Sequence, residues 1–345
     1  NRMPPKREVP DLTSPGPWDN DVLVYRANAN GKIDKLGIFE RAGVPTIARM
    51  NDGRLIAAYQ YFPENDAENF DNVAVRFSSD EGETWTEPQV IKLSGLPNGM
   101  RFPFDPTLVP LPDGQIRLYF TSLLERQFDT QEIFSAISRD GINYTFEPDA
   151  RFSLTGRPVI DCAVVLHNGL FHLYSPDNGA IRCPGDLFAI DEEQNDQRPK
   201  PGVGYHAISN DGLNFTRAED VYIEGDRRWL GNAQSDGKLI TFFGTGNPGE
   251  FGIGQPRSSV WISTSKDGQY WERSQSLPIM GGDPGAVATS DGGWIIVITG
   301  GPRPGTPSAN RFRSDQNRPR PNADGPWNHN VLLATSKDGL SWTIN

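Results

Sequence analysis

Short apolar runs separated by tight turn signals recur along the whole chain. In one stretch, the mainly apolar segments 107–109 and 116–120 flank Asp113-Gly114. This pair supplies the positive φ that a short hairpin loop needs. The same arrangement of apolar run, turn and apolar run appears again in four other parts of the chain. The pattern therefore predicts antiparallel β-hairpins as the repeating local structure.

Two series of turns alternate through these repeats. The first series contains Asp-Gly or Asn-Gly and occupies residues 51–53, 112–114, 167–169, 235–237 and 290–292. The second contains Ser, Asp, Gly and an aromatic residue, and occupies residues 78–85, 138–144, 209–215, 265–271 and 336–342. In the second series, Asp and Ser can hydrogen-bond the local backbone, and Gly can take a positive φ. We interpret the aspartates of these turns as structural and not catalytic.

Each repeat thus predicts four antiparallel strands, and five such repeats are typical of an all-β, five-bladed β-propeller. A fold of this kind can hold all 345 residues in a single domain. The predicted blades are 44–95, 104–150, 159–223, 230–277 and 283–345, with residues 1–36 as an N-terminal arm and closing strands. Residues 22–39 add a strand pair, which either closes the ring against the last blade or belongs to a sixth, irregular blade.

Composition narrows the choice of partners. The net charge of −11 argues against nucleic acid and against anionic membrane surfaces. No apolar run reaches the roughly 18 residues that a membrane span needs, so no membrane insertion is expected. The chain starts at Asn1, which suggests a removed leader and a secreted or periplasmic protein. Cys162 and Cys183 form either one disulfide or two free thiols. The oligomeric state stays open.

Strand direction sorts the connections between strands onto two faces. All the short turns fall on one face. The other face carries the long irregular segments 61–72, 122–131, 175–202, 244–258 and 300–330. Long loops gathered on one side of a rigid scaffold are where binding and chemistry usually occur. We therefore expect the functional site at this end of the central channel.

Three aspartates stand at the predicted starts of the innermost strands. Asp105, Asp161 and Asp283 open these strands in blades 2, 3 and 5, whereas residues 43–44 and 231–232 hold the matching places in blades 1 and 4. Carboxylates that converge in a pocket shift each other's pKa, which permits separate acid and base roles. Two carboxylates that flank a glycosidic bond are the usual apparatus of glycoside hydrolysis. An aspartate that begins a strand can also cap backbone amides, so the structural interpretation of each one stays open.

Further candidates surround this predicted pocket. Asp66, in the long loop of blade 1, is a fourth catalytic candidate. The substrate-binding candidates are charged residues upstream of the inner strands, aromatic residues that could stack on a sugar ring, one amide and one histidine: Glu40, Arg41, Arg101, Arg157, Phe104, Trp229, Asn232 and His329. The aromatic residues are equally compatible with packing at the rim. No ligand spacing indicates a metal, and no cofactor is predicted.

These motifs resemble the Asp-box (BNR) glycoside hydrolase propellers, among which two branches are similar to this chain. Residues 36–85 resemble the opening blade of sialidases, with a Pro-containing first strand and a full-length Asp box at 78–85. This likeness implies Asp66 as an acid/base, and a six-bladed ring as the alternative to five blades. The strand begins Gly43-Val44-Pro45, without the sialidase arginine, so the chain does not look like a true sialidase.

The second branch is that of the five-bladed arabinanase, furanosidase and invertase propellers. The shorter turns of blades 2–5 and the strand openings Asp105-Pro106 and Asp283-Pro284 carry this likeness. It implies that Asp105 and Asp161 fill two carboxylate roles, one as base or nucleophile and one as an orienting group. The glutamic acid that would act as proton donor has no counterpart, because Asn232 stands in its place.

The sequence therefore predicts a glycoside hydrolase that cleaves an oligo- or polysaccharide by acid/base catalysis in the central pocket. Two alternatives stay open. The first is a carbohydrate-binding propeller that holds a glycan without cleaving it. The second is a polysaccharide lyase, which would need a Tyr or His base, and His329 is the candidate for that role. His172 and His206 fall on predicted strands and are expected in the core.

Overall fold

The computed structural model describes residues 10–123, 131–179, 199–225, 227–246, 259–309, 334–336 and 342–344. Regular structure in these residues is almost entirely β-strand, and a short 3-10 helix, Pro17–Asp19, precedes the first strand. No helix in this described part is both long and apolar enough to cross a membrane. The all-β prediction is confirmed.

The strands form five sheets and one separate hairpin. In chain order the strands are β1 (Asn20–Ala27), β2 (Ile33–Phe39), β3 (Ala42–Arg49), β4 (Leu55–Tyr61), β5 (Asn72–Ser78), β6 (Gln89–Val90), β7 (Lys92–Ser94), β8 (Phe104–Pro110), β9 (Ile116–Ser122), β10 (Glu132–Ser138), β11 (Asn143–Phe152), β12 (Ala163–His167), β13 (Leu170–Pro176), β14 (Val203–Ser209), β15 (Thr216–Arg217), β16 (Val221–Tyr222), β17 (Arg227–Ser235), β18 (Ile240–Gly246), β19 (Ser259–Ser265), β20 (Gln275–Met280), β21 (Gly282–Ala288), β22 (Trp294–Pro302), β23 (Ala334–Ser336) and β24 (Trp342–Ile344).

Each sheet is one blade of a propeller. Blade 1 has the order β3-β4-β5-β6, and blade 2 has the order β8-β9-β10-β11 with β7 added on its outer edge. Blade 3 has β12-β13-β14, with β15 and β16 both paired to β14, and blade 4 has β17-β18-β19-β20. Blade 5 has β21-β22-β1-β2. The innermost strands β3, β8, β12, β17 and β21 contact one another in cyclic order, which closes a ring of five blades.

The last blade is completed by the N-terminus of the chain. Strand β1 pairs antiparallel with β22, from Asn20 opposite Pro302 to Ala27 opposite Trp294. The predicted range of 283–345 for this blade therefore needs correction, because its outer strands come from residues 20–39. Residues 334–336 and 342–344 instead pair with each other as a separate hairpin. The physical reason is burial, since Val22, Val24 and Phe39 pack into the core between blades 5 and 1.

The core consists of five apolar clusters, one between each pair of neighbouring blades. Alternate residues of each strand face the blade before and the blade after, as the two-residue period of a strand requires. In β9, for example, Leu118 and Phe120 pack toward blade 1, whereas Tyr119 packs toward blade 3. Both faces of each blade are thus buried, and the apolar runs of the sequence are accounted for.

In the turns of the second series, the Asp and Ser side chains hydrogen-bond the backbone of the same turn, as predicted. In the turn after β10, the Asp140 carboxylate accepts hydrogen bonds from the N–H groups of Ile142 and Asn143, both at 2.8 Å. The Ser138 hydroxyl accepts a hydrogen bond from the Gly141 N–H at 3.0 Å. Because β8 runs from the central pocket to the turn at 111–114, a distance of roughly 20 Å separates this turn face from the pocket face.

Candidate active site

The central pocket lies where the innermost strands begin. It is a small open cleft with residues from all five blades in its wall: Val44, Pro45, Thr46, Asp105, Pro106, Thr107, Asp161, Cys162, Leu230, Gly231 and Asp283. The structure thus brings together Asp105, Asp161 and Asp283, the three carboxylates that we expected to converge. Each of them keeps part of its surface accessible. Their catalytic role stays a prediction.

An unusual backbone conformation directs these side chains into the pocket. The pairing of the inner strand with its neighbour is interrupted by a bulge in blades 1, 2, 4 and 5. At this place φ is positive in every blade: 48° at Val44, 52° at Asp105, 54° at Asp161, 156° at Gly231 and 51° at Asp283. A residue other than glycine pays roughly 1–3 kcal/mol for this conformation, and such strain is concentrated at functional sites.

Asp105 and Asp161 lie on adjacent blades and form a hydrogen-bonded pair. Burial, and then the negative charge of Asp283, raise the pKa of Asp105 to about 7. Burial, followed by the charges of Asp105 and Asp283, raises the pKa of Asp161 well above its ordinary value. Asp161 is therefore the donor of the pair and Asp105 the acceptor. The Thr121 hydroxyl accepts a hydrogen bond from the Asp161 N–H at 3.1 Å and is hydrogen-bonded to the Asp105 carboxylate.

Asp283 projects from blade 5, which lies across the ring from blades 2 and 3. Burial raises the pKa of this carboxyl, whereas the Thr299 hydroxyl and the charge of Arg228 act in the opposite direction. Thr299 Oγ1 donates to Asp283 Oδ2 at 3.1 Å. The pocket therefore contains a carboxyl pair that shares a proton on one side and a single carboxylate, supported by a hydroxyl and a cation, on the other.

Threonine hydroxyls also link neighbouring blades around the pocket. Thr299 Oγ1, which donates to Asp283, accepts a hydrogen bond from the Val44 N–H of the next blade at 2.8 Å. Thr245 Oγ1 accepts from the Asp283 N–H at 2.9 Å, but it donates to the Leu230 carbonyl oxygen at 2.9 Å and not to a carboxylate. The two threonines thus accept the same kind of inter-blade hydrogen bond, but Thr299 donates to a carboxylate and Thr245 donates to a backbone carbonyl.

Arg101 and Phe104 lie at the entrance of blade 2. The guanidinium carbon of Arg101 is 4.5 Å from the centroid of the Phe104 ring. Its Nη2 atom is 3.4 Å from Asp71 Oδ2, and 48% of the side chain is exposed. The charge of Arg101 slightly opposes the rise in the pKa of Asp105. Both predicted substrate-binding residues therefore lie close to the carboxyl pair.

Arg157 is held by a buried carboxylate of blade 3. Its Nη1 atom lies 2.9 Å from Asp177 Oδ1 and 3.2 Å from the Tyr205 hydroxyl oxygen. The Tyr205 hydroxyl also donates to Asp177 Oδ1, at 2.5 Å. This compact network fixes the loop at the start of blade 3, so Arg157 has a structural function in this arrangement, beside the one predicted.

The candidates of blade 1 do not line the central pocket. Glu40 is exposed at the surface. Arg41 Nη1 donates to Glu64 Oε1 at 2.7 Å. Asp66 accepts hydrogen bonds from the backbone N–H and the side-chain amide of Asn69, and so caps a turn in its own loop. Nothing in this geometry connects Asp66 with the three carboxylates of the pocket.

Two substrate-binding candidates of blade 4 require correction. The Trp229 side chain is fully buried, its ring centroid lies 4.8 Å from that of Phe242, and its Nε1–H donates to the Gly202 carbonyl oxygen at 2.9 Å. A ring enclosed in this way cannot stack on a sugar. Asn232 is 2% exposed, and its Oδ1 atom accepts a hydrogen bond from the Ala286 N–H at 3.4 Å. Both residues join blade 4 to its neighbours.

The remaining candidates are histidines and cysteines. His172 and His206 are buried side by side in the core, as predicted, with ring centroids 5.3 Å apart. Cys162 is a buried free thiol. His329 and Cys183 lie outside the described residues.

Three functional candidates escaped the sequence analysis: Thr121, Thr299 and Arg228. A threonine near the end of the second strand recurs in blades 2, 4 and 5, and this recurrence was a signal that could have revealed the first two. Arg228 is the second residue of the inner strand β17 and lies next to Trp229, the aromatic residue that the sequence pattern favoured. Within the described part of the chain, no group of three or more His, Cys, Asp or Glu residues is arranged to hold a metal ion.

Comparisons with known proteins give a fold and no family. No family model matches this sequence, and neither does any curated protein. Among solved structures, an N-acetylgalactosamine deacetylase from F. plautii, in complex with blood group B trisaccharide, superimposes with a TM-score of 0.50 at 16% sequence identity, over 81% of this chain and 84% of that chain. The GH32 beta-fructofuranosidase of Bombyx mori gives a TM-score of 0.53 at 12% identity. That match covers 74% of this chain and only 54% of the other. At such low identity the likeness is one of fold.

Proposed function

We propose that this chain is a glycoside hydrolase that cleaves a glycan in the central pocket of the propeller. The observation that carries the proposal is the meeting of Asp105, Asp161 and Asp283 in one pocket, with a shared proton on one side and a carboxylate on the other. Glycosidic cleavage needs a proton donor and a base or nucleophile on opposite sides of the bond. This arrangement supplies both.

Each carboxyl has a distinct role in the proposed mechanism. Asp161 keeps its proton at neutral pH and donates it to the glycosidic oxygen as the bond breaks. Asp105 accepts the Asp161 hydrogen bond and so fixes the position of that proton. Asp283 faces them from blade 5 and acts on the sugar as base or nucleophile.

Two independent features support a carbohydrate substrate. The turns of the sequence resemble those of Asp-box glycoside hydrolases. The two superimposable proteins named above are a deacetylase bound to a trisaccharide and a beta-fructofuranosidase, so both act on sugars by name.

The test compares the wild-type protein with Asp161→Asn and Asp283→Asn on a panel of nitrophenyl glycosides and polysaccharides. Asparagine keeps the shape and tolerates the positive φ, so both variants should fold. We expect the kcat/KM of each variant on the true substrate to fall roughly 10²–10⁴-fold. Asp140→Asn, on the opposite face, is the control and should keep full activity. Folded pocket variants with full activity would exclude the mechanism.

Product analysis separates the alternatives. New reducing ends without an unsaturated sugar indicate hydrolysis, whereas an unsaturated, ultraviolet-absorbing product indicates a lyase. Released acetate with an intact glycan chain would indicate deacetylation. A glycan that binds in the pocket and is recovered unchanged would identify a binding propeller.

A further inference from the structure

In each blade, one side chain of the second strand lies beside the start of the inner strand. It is Gln60 in blade 1 and a hydroxyl-bearing residue in the other blades: Thr121, Ser175, Thr245 and Thr299. Strand pairing sets Thr121 opposite Phe104, which directly precedes Asp105. It sets Thr299 opposite Gly282, which directly precedes Asp283. A hydroxyl group carries one proton and so donates one hydrogen bond, and the acceptor of this bond differs from blade to blade.

In blades 2 and 5 the hydroxyl serves the carboxylate of its own blade. Thr299 Oγ1 donates to Asp283 Oδ2 at 3.1 Å. The Thr121 hydroxyl is hydrogen-bonded to the Asp105 carboxylate, and its oxygen accepts a hydrogen bond from the Asp161 N–H at 3.1 Å. The Thr121 side chain is fully buried. One hydroxyl therefore joins both members of the carboxyl pair, and its proton is directed at Asp105.

In blade 3 the hydroxyl serves the backbone. Ser175 Oγ donates to the Ile160 carbonyl oxygen at 2.7 Å, and this serine is also fully buried. Its one proton is thus held by a peptide group and is not available to Asp161. Asp105 and Asp161 therefore differ in what the hydroxyl of their own blade does.

The charged groups around the pair act on its two members in the same way. Burial raises the pKa of both carboxyls, and nearby negative charge, that of Asp283 included, raises both further. One arginine opposes the rise in each case, Arg101 at Asp105 and Arg228 at Asp161. Charge thus favours neither member clearly, whereas the hydroxyls of blades 2 and 3 distinguish them.

We infer that Thr121 is a positioning residue, whose hydroxyl makes Asp105 the anion of the pair and so leaves the shared proton on Asp161. A hydrogen bond donated to a carboxylate stabilises its charged form, so the carboxyl with the donor ionises first. The same oxygen holds the Asp161 backbone, which sets the two carboxyls at hydrogen-bonding distance. The use of this proton in cleavage rests on the proposed function, whereas its location does not.

The first experiment locates the proton without any substrate. Carboxyl carbon NMR of the full chain is recorded from pH 4 to 9, with the signals of Asp105 and Asp161 assigned from their Asn variants. In the wild type, the step near pH 7 should appear mainly at the Asp105 carbon. In Thr121→Val the step should move to higher pH and be shared with Asp161. Thr121→Ser keeps the hydroxyl and should restore the wild-type pattern.

The matched control is Thr245→Val in blade 4. It makes the same substitution at the equivalent place and also removes the acceptor of an inter-blade N–H, but the hydroxyl of Thr245 donates to a backbone carbonyl. The Asp105 step should therefore stay where it is. Thr121→Ala removes the same hydroxyl as Thr121→Val and replaces it if the valine variant does not fold. An unchanged Asp105 step in folded Thr121 variants, or an equal shift in Thr245→Val, would overturn the inference.

The second experiment measures kcat/KM against pH on the true substrate. In Thr121→Val the rising limb should move to higher pH, so the loss of activity should be greatest near pH 6 and smallest near pH 9, and Thr121→Ser should reverse it. A loss of equal size at every pH would mean that Thr121 only supports the fold, and would contradict the positioning role.

This proposal and the proposed function can fail separately. A shifted Asp105 titration in Thr121→Val, with no glycan cleaved by the wild type, would leave the location of the proton and remove the hydrolase. Cleavage by the wild type with an unmoved titration in Thr121→Val would leave the hydrolase and remove the role of Thr121.

Discussion

Aspartates on the two faces of this propeller have pKa values shifted in opposite directions. On the pocket face, burial raises the pKa of Asp105 to about 7 and also raises that of Asp161. On the turn face, burial alone would raise the pKa of Asp140, but the hydrogen bonds from Asn143, Ile142 and Ser138 together outweigh it and lower this pKa to about 2. The pKa of Asp211 is also lowered, mainly by hydrogen bonds from the backbone N–H groups of its own turn.

The difference teaches that the surroundings, and not the residue type, decide what an aspartate does. A turn aspartate points back at its own backbone, where several N–H groups stabilise the charge and fix the turn. A pocket aspartate is turned away from its backbone by a positive φ, and it meets other carboxyls in place of donors. The first arrangement stabilises the fold, whereas the second keeps a proton at neutral pH and destabilises the fold there.

The pH dependence of activity gives the largest expected effect. The carboxyl pair loses its first proton as the pH rises through about 7, and only then is Asp105 the anion that orients the proton of Asp161. We expect kcat/KM to rise roughly tenfold per pH unit below this value and to level off above it. The measurement is a pH profile from 4 to 9. A flat profile for the wild type would contradict the proposed roles. In Asp105→Asn the rise of kcat/KM with pH should be absent.

Stability should change in opposite directions when the two kinds of aspartate are removed. The pKa of Asp105 is higher in the folded chain than in the unfolded chain, so the folded state is favoured where Asp105 is protonated. This contribution to stability is complete below about pH 4 and is lost as the pH rises through the pKa of the folded state. Asp105→Asn should therefore raise the free energy of unfolding at pH 8 by about 2 kcal/mol. Denaturant unfolding checks this, and the gain should vanish near pH 4. If Asp105→Asn instead lowered the stability at pH 8, the ionised carboxylate of Asp105 would not be destabilising the fold.

The threonines of blades 4 and 5 test how a carboxylate is tuned. Thr299→Val removes the hydroxyl that donates to Asp283, and Thr245→Val removes the equivalent hydroxyl that donates to a backbone carbonyl. Thr299→Val should raise the pKa of Asp283 further, because the anion loses a hydrogen bond, while Thr245→Val should leave this pKa unchanged. Carboxyl carbon NMR titration measures both, and equal shifts would contradict the distinction between the two links.

The smallest effect is expected on the turn face. Asp140→Ala removes the acceptor of the Ile142 and Asn143 N–H groups and should cost about 1 kcal/mol of stability, with activity unchanged. Because the pKa of Asp140 is lowered to about 2, its contribution is present above about pH 4 and is lost as the pH falls through 2. Unfolding curves of the variant and the wild type should therefore converge near pH 2. A loss of activity in Asp140→Ala would break the comparison of the two faces.

Local chemistry made much of this molecule predictable from sequence. The Asp-Gly and Ser-Asp-Gly turns depend on residues that are neighbours in the chain, so their repetition predicted five blades and the end of the ring at which a pocket should lie. The same repetition placed Asp105, Asp161 and Asp283 at equivalent strand starts. That step needed only the strand order within one repeat, and the structure brings these three residues into one pocket.

Contacts between distant residues decided the rest. Closure of blade 5 by residues 20–39 depends on the pairing of β1 with β22, which no local pattern specifies. Burial of Trp229 depends on aromatic side chains from two blades, and the neutral partner of Arg228 comes from a loop of blade 3. The shared proton of Asp105 and Asp161 arises only when the ring brings two strand starts within hydrogen-bonding distance. Sequence fixes which groups are present, but burial and distance fix their charge, and both are properties of the assembled ring.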